Sequence, residues 1–180
     1  MSKEIEIKVL EIDKKEVISK LRKVGAKKKL DARLKVRFFD FPDKRLTKKN
    51  NAVRLRKEGK KTKITIKDKF VQKKFKQVIE YETEVQDFEA ITQIFNLIGL
   101  KIVAEQEKDR ISYKYKDITF DIDTYPRIPT LLEIEAENLT KLKEGLRIIG
   151  KTIKDSNSKT GKELFAHYGI DVMKIRNLKF

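Results

Sequence analysis

Charge and hydrocarbon alternate strictly over Glu4-Ile5-Glu6-Ile7-Lys8. A strand there puts Glu4, Glu6 and Lys8 on one face and Ile5, Ile7 and Val9 on the other. The same two-residue period returns at 33–41, 52–56, 62–67, 80–85, 108–115, 117–124 and 132–136, which predicts eight strands. Three stretches switch to a helical period. Asp13 and Glu16 open a helix over 14–24 with Val17, Ile18, Leu21 and Val24 on one side and Gly25 as its stop. Asp87 opens another, with Phe88, Ile91, Phe95 and Ile98 leading to Gly99, and Asn138 a third, with Leu139, Leu142, Leu146 and Ile149 leading to Gly150. Each helix follows a Glu-x-Glu strand. Glu58-Gly59-Lys60 and Lys116-Asp117 predict hairpin turns, and Pro126 and Pro129 bracket the turn into the last strand. Residues 42–51 and 68–76 are basic and aperiodic and predict loops, and the tail from Asp155 carries a short helix over 162–168 and a basic end.

The helices need an apolar surface, and the strands offer one only on their Ile, Val, Leu and Phe faces. The charged faces are then left to line the inside of a rolled sheet. The expected fold is α+β: an eight-stranded antiparallel closed β-barrel with a charged interior and helices packed outside, a single domain over 1–180 with 155–180 as its C-terminal helix and tail. A barrel of eight strands encloses about one small ligand. Unpaired charges in such a space are costly unless the tunnel is wet and built for an ion.

Composition sharpens that expectation. Apolar residues make up 39% and charged residues 40% of the 180, so the chain is short of core material but too regular for disorder. A net charge of +16 attracts polyanions. With no Cys and one His, His167, the chain has no thiolate, disulfide or His-cluster chemistry, so a bound metal would be a hard cation on oxygen ligands. No apolar run is long enough to span a membrane, and a soluble cytoplasmic protein is expected.

The inward-facing inventory has Lys8, Arg54, Arg56, Lys67, Lys108 and Arg110 as cations and Glu4, Glu6, Glu82, Asp123, Glu133 and Glu135 as anions. Arginine forks suit phosphate oxygens. Carboxylates beside phosphate repel it unless a divalent cation lies between them, and a Glu pair ~6.6 Å apart along a strand can converge on one Mg²⁺ or Mn²⁺. Bases on one wall and acids on another describe a site for metal-bound triphosphate.

At these residues the chain resembles a known family. Glu4-Ile5-Glu6-Ile7-Lys8 is similar to the ExExK signature of the CYTH superfamily, the triphosphate tunnel metalloenzymes. Arg54-Leu55-Arg56 resembles its RxR strand, Thr65-Ile66-Lys67 its basic strand, Lys108-Asp109-Arg110 its KxR pair, and Asp123 with Glu133-Ile134-Glu135 its late acids. The segments 38–43 and 122–126 are closest to the class IV adenylyl cyclase branch, although Asp68 stands where a glycine is expected and Arg127-Ile128-Pro129-Thr130 replaces an expected Leu-Gly. The resemblance implies a Mg²⁺- or Mn²⁺-dependent enzyme acting on a nucleoside triphosphate, thiamine triphosphate or tripolyphosphate, and a homodimer. It implies catalytic roles for Glu4, Glu6, Lys8, Arg56 and Glu135, phosphate contacts from Lys8, Arg54, Arg56, Lys67, Lys108 and Arg110, and metal ligation by Glu4, Glu6, Asp123, Glu133 and Glu135. Glu80, Glu82 and Asp121 would support those ligands from behind.

Plainer readings stand beside these. Glu80 and Glu84 pair with bases across the sheet, Tyr113, Tyr115 and Tyr125 pack the sheet, and His167 lies on a helix surface. The runs 27–29 and 73–76 are solvated charge. A basic RNA-binding module would use Arg33, Lys35 and Arg37 as its footprint, but it leaves the Glu-x-Glu strands without a purpose. A triphosphate-binding regulator without turnover is a third reading. Cyclase and triphosphatase remain alternatives, because the choice between them rests on loops at the tunnel mouth.

Overall fold

The computed structural model describes residues 5–49, 51–72 and 75–180, without the side chains of 67–80. In chain order the elements are β1 (Ile5–Val9), α1 (Lys14–Lys23), β2 (Lys27–Asp40), α2 (Arg45–Lys48), β3 (Ala52–Glu58), β4 (Lys61–Gln72) and β5 (Phe75–Val85). There follow α3 (Phe88–Leu97), β6 (Lys101–Tyr115), β7 (Ile118–Thr124), β8 (Leu131–Ala136), α4 (Leu139–Ile148), α5 (Gly161–His167) and β9 (Asn177–Leu178). The strand order is β1-β8-β7-β6-β2-β3-β4-β5, with the two-residue β9 parallel to β6. The eight predicted strands, their antiparallel ladders and the α+β class are as expected. Strands β1 and β5 end the hydrogen-bonded path, and among the described residues no ladder joins them.

Three boundaries differ from the expectation. Within the predicted loop at 68–76, residues 68–72 and 75–76 are strand, paired from Asp68↔Ile79 to Gln72↔Phe75. Ladder hydrogen bonds there satisfy the backbone whatever the side chains are, and dense lysines hide the two-residue period. Dense lysines likewise hide the start of β2 at Lys27, while β6 begins at Lys101 with the run Ile102-Val103-Ala104, which breaks the alternation. Within the predicted loop 42–51, one helical turn forms because the buried Asp40 carboxylate accepts from Leu46 N, Thr47 N and Thr47 Oγ1 at 3.0, 3.0 and 2.6 Å.

The chain divides into two compact units. The first runs through Arg33 and takes in Lys108–Lys174 and Phe180. Here Val17 and Leu21 of α1, with Leu142 and Leu146 of α4, pack on Ile7, Val9, Ile118, Phe120, Ile122, Leu132 and Ile134. The predicted caps are in place: Asp13 accepts from Glu16 N at 2.9 Å, and Asn138 from Lys141 N at 3.0 Å. Helix α4 rests directly on the sheet at Gly145, where a Cβ would lie 2.9 Å from Ile134 Cγ2 and 3.2 Å from Ile118 Cγ2. Each fully buried side chain such as Phe120 or Ile134 contributes about 1.5–3 kcal/mol. A one-residue slip of β8 would put Glu133 and Glu135 under α4 instead, so the apolar face fixes the register.

The second unit comprises Leu34–Glu107 and Ile175–Lys179. Its α3, capped by Asp87 at Glu89 N and Ala90 N, packs Phe88, Ile91 and Phe95 on Phe39, Val53 and Leu55. In each unit the helices occupy the aliphatic face, as the alternation predicted, and the charged side chains stand on the opposite one.

Candidate active site

In the first unit, strand register sets the charged side chains in rows. Lys8 pairs with Glu133, Glu133 with Asp121, and Asp121 with Ser112 across β1, β8, β7 and β6. The next row carries Glu6, Glu135 and Thr119. Asp123 lies opposite Arg110.

These side chains form one buried ionic network. Arg110, 7% exposed, donates Nε to Asp123 Oδ1 at 2.6 Å and Nη2 to Asp123 Oδ2 and Glu133 Oε2, both at 2.5 Å, and its Nη1 pairs with Asp121. Lys108 Nζ donates to Asp123 Oδ2 at 2.5 Å and to the Tyr125 hydroxyl at 3.0 Å. Lys8 lies 3.3 Å from Glu133 Oε1 and pairs with Glu6. Burial alone would discharge these groups. It opposes the Glu133 carboxylate, but the charges of Lys108, Arg110 and Lys8 outweigh it and hold that carboxyl well below its ordinary range. Burial likewise works against the Lys8 ammonium, and Glu133 and Glu6 keep its pKa raised.

Two acids escape this compensation. Burial raises the Asp121 carboxyl, with Arg110 only partly offsetting it. Burial, then the charges of Asp121, Glu6 and Glu133, push Glu135 up to about 7. Ligand atoms of Asp121, Glu133 and Glu135 lie within 4.8 Å of one another. Asp121 Oδ1 is buried with no hydrogen-bond partner among the described residues. A trio of oxygen donors with an unsatisfied lone pair and a carboxyl held near neutrality fits a hard divalent cation, which would take the place of the proton.

The second unit carries a cationic cluster. Glu82 accepts from Thr65 Oγ1 at 2.9 Å and lies 3.1 Å from Lys63 Nζ. Arg54 donates Nη2 to Thr65 Oγ1 at 3.2 Å, and Arg56 Nε stands 2.6 Å from Glu58 Oε1. Burial opposes the Glu82 carboxylate, but its hydrogen bonds to Lys63 and Thr65 hold its pKa below the ordinary value.

The expected site residues are thus distributed as follows. Glu6, Lys8, Lys108, Arg110, Asp123, Glu133 and Glu135 come together in the first unit with Asp121. Arg54, Arg56 and Glu82 come together in the second. Glu4 and the side chains of Lys67 and Glu80 lie outside the described residues. Asp123, expected as a metal ligand, has its oxygens engaged by Lys108 and Arg110, while Asp121, expected only in support, joins the oxygen trio. Tyr125 is more than sheet packing: it receives the Lys108 hydrogen bond, and its ring meets Phe165 of α5 edge-on at 5.5 Å. The involvement of Lys63 and Thr65 was visible only as their sharing of a strand face.

The stripe Arg33, Lys35, Arg37 is largely neutralised. Arg33 forks onto Asp109 at 2.8 and 3.0 Å, and Arg37 pairs with Glu105 and Glu89 at 2.8 and 2.7 Å. His167 is exposed, as expected. Among the described residues no helix is long and apolar enough to cross a membrane.

Comparison with known proteins places the chain in a family. The CYTH domain matches residues 2–163. A Methanocaldococcus jannaschii protein named "Putative adenylate cyclase MJ0240" is 33% identical over 135 residues, 73% of this chain and 75% of that one. The chain belongs to the CYTH domain family. Two solved structures share its fold. The PH1012 protein of Pyrococcus horikoshii matches with a TM-score of 0.69 at 24% identity, over 87% of this chain and 96% of its own. HpAC1 of Hippeastrum, whose structure is described as revealing a dominant triphosphatase activity, matches with a TM-score of 0.65 at 14% identity, over 97% and 100%. The sequence relative thus carries an adenylate cyclase name, and one neighbour in fold is described by a triphosphatase activity.

Proposed function

We propose that the chain is a divalent-metal-dependent enzyme that breaks a phosphorus–oxygen bond in a triphosphate-containing small molecule. The first reading is the cyclase reaction, ATP to cyclic AMP and pyrophosphate. The observation that carries the proposal is the oxygen trio Asp121, Glu133 and Glu135 set against the buried cations Lys8 and Arg110. The trio, with Glu6 beside it, would hold Mg²⁺ or Mn²⁺, which when bound neutralises phosphate charge and polarises the reacting phosphorus. Lys8 and Arg110 orient phosphate oxygens there, Lys108 keeps Asp123 and Arg110 in place, and within the second unit Arg54 and Arg56 are phosphate donors of their own cluster. None of these residues needs to form a covalent intermediate, since positioning and charge neutralisation serve phosphoryl chemistry.

A second reading is hydrolysis of tripolyphosphate or thiamine triphosphate by water. The likeness to HpAC1, described by its triphosphatase activity, favours it. Incubation with ATP, thiamine triphosphate and tripolyphosphate in turn, with Mg²⁺ or Mn²⁺, separates the readings when cyclic AMP and pyrophosphate are resolved from orthophosphate. At least one substrate should turn over only with metal, and Glu6→Ala or Arg56→Ala should abolish that turnover. No turnover of any of the three would remove the proposal.

A further inference from the structure

In the first unit Lys108 and Tyr125 carry more donor hydrogens than the ionic network uses. The Lys108 ammonium has three N–H groups. Asp123 Oδ2 takes one at 2.5 Å and the Tyr125 hydroxyl oxygen a second at 3.0 Å. Tyr125 is the acceptor in that bond, so its own O–H is still to be spent. Among the described residues neither spare hydrogen meets an acceptor. The pair is also held in place: Lys108 Nζ lies 4.9 Å from the Tyr125 ring centroid, and the ring meets the buried Phe165 edge-on at 5.5 Å. Packing of that kind uses the ring and has no need of the hydroxyl. Position matters as much as valence. Lys108 Nζ and Arg110 Nη2 share Asp123 Oδ2, and Arg110 Nη2 also holds Glu133 Oε2. Glu135 stands opposite Thr119, at the other end of the file that runs through Asp121 and Asp123. The donor pair therefore closes the end of the network beside Arg110.

We propose that Tyr125 and Lys108 form a two-donor seat for one phosphate oxygen of the substrate, with the Tyr125 hydroxyl as a direct binding group. This deepens the reading of the network as a triphosphate site and rests on it. Two donors whose heavy atoms stand 3.0 Å apart can converge on a single oxygen, the arrangement by which preorganised donors hold an oxyanion. Lys108 supplies the charge and Tyr125 a neutral second bond, since a phenol keeps its proton at neutral pH. A neutral donor suits this position. Lys108 and Arg110 already repel each other, and another cation beside them would add to that cost.

The experiment is calorimetric titration of the full chain, in Mg²⁺, with imidotriphosphate, a tripolyphosphate whose bridging oxygens are replaced by N–H and which resists hydrolysis. Wild type, Tyr125→Phe and a protein with 4-aminophenylalanine in place of Tyr125 are compared. Phenylalanine keeps the ring against Phe165 and Lys108 but gives up the O–H, and affinity should fall about tenfold or more, as for the loss of a hydrogen bond to a charged group. The aniline N–H of the second variant restores a donor at the same place while accepting only poorly from Lys108, so it should recover most of the loss. Equal affinity in wild type and Tyr125→Phe overturns the proposal. A loss that 4-aminophenylalanine does not recover overturns it too, and leaves the hydroxyl as a brace for Lys108. The measurement needs no turnover, so a chain without enzymatic activity can still support it. Failure of wild type itself to bind imidotriphosphate would refute the triphosphate reading of the network, and the seat with it.

Discussion

Replacing Arg110 with Met should lower folding stability by about 3–5 kcal/mol, the range for removing one partner from a buried ion pair. The loss is large because Arg110 is the common partner of Asp121, Asp123 and Glu133, all at most 8% exposed. Met fills much of the volume but leaves three carboxylates with only Lys8 and Lys108 to balance them. Uncompensated charge in a desolvated site costs far more than the loss of a surface pair such as Lys28–Asp31, whose removal should change stability by no more than about 1 kcal/mol. Urea titrations of wild type, Arg110→Met and Lys28→Ala check this. A drop below about 1 kcal/mol in Arg110→Met would show that the network is wetter and less interdependent than its distances indicate.

Glu135→Gln and Asp121→Asn should each reduce metal-dependent turnover by about 10²–10³, the range for removing one preorganised electrostatic element from a reacting centre. Both substitutions keep the shape of the side chain. Glu135→Gln also relieves the burial and repulsion that raise that carboxyl, so its folded state should be as stable as wild type or more so, whereas Asp121→Asn gives up the buried Arg110 pair as well. Lost activity with retained or improved stability is the signature of a functional acid rather than a structural one. The check is kcat/KM for the best substrate alongside thermal melts of the same samples. Equal turnover in Glu135→Gln would remove that residue from the reaction.

The alternation of charge and hydrocarbon made much of this architecture legible. Once α1 and α4 are seen to need Ile7, Ile134 and their neighbours, the two-residue period leaves Lys8, Glu133 and Arg110 no face but the other one. Helix caps and stops were legible too, because Asp13, Asp87 and Asn138 act through their own backbone neighbours. Strand ends were less so: the lysines of β4 and β5 give no apolar period, and ladder pairing there depends on the partner strand. The choice between Asp121 and Asp123 was hidden for a related reason. Both occupy the same face two residues apart, and only the reach of Arg110 and Lys108 across β6 and β7 decides which carboxylate has both oxygens engaged by cations and which has one engaged and one left over.

The central claim is that Asp121, Glu133 and Glu135 hold a divalent cation. Titration of the metal-free protein with Mn²⁺ in mildly alkaline buffer, where Glu135 is ionised, tests it most directly, with free Mn²⁺ followed by its electron paramagnetic resonance signal. One saturable site in wild type that weakens at least tenfold in both Glu135→Gln and Asp121→Asn is the predicted result. Identical Mn²⁺ binding in all three proteins, or none in wild type, would contradict it.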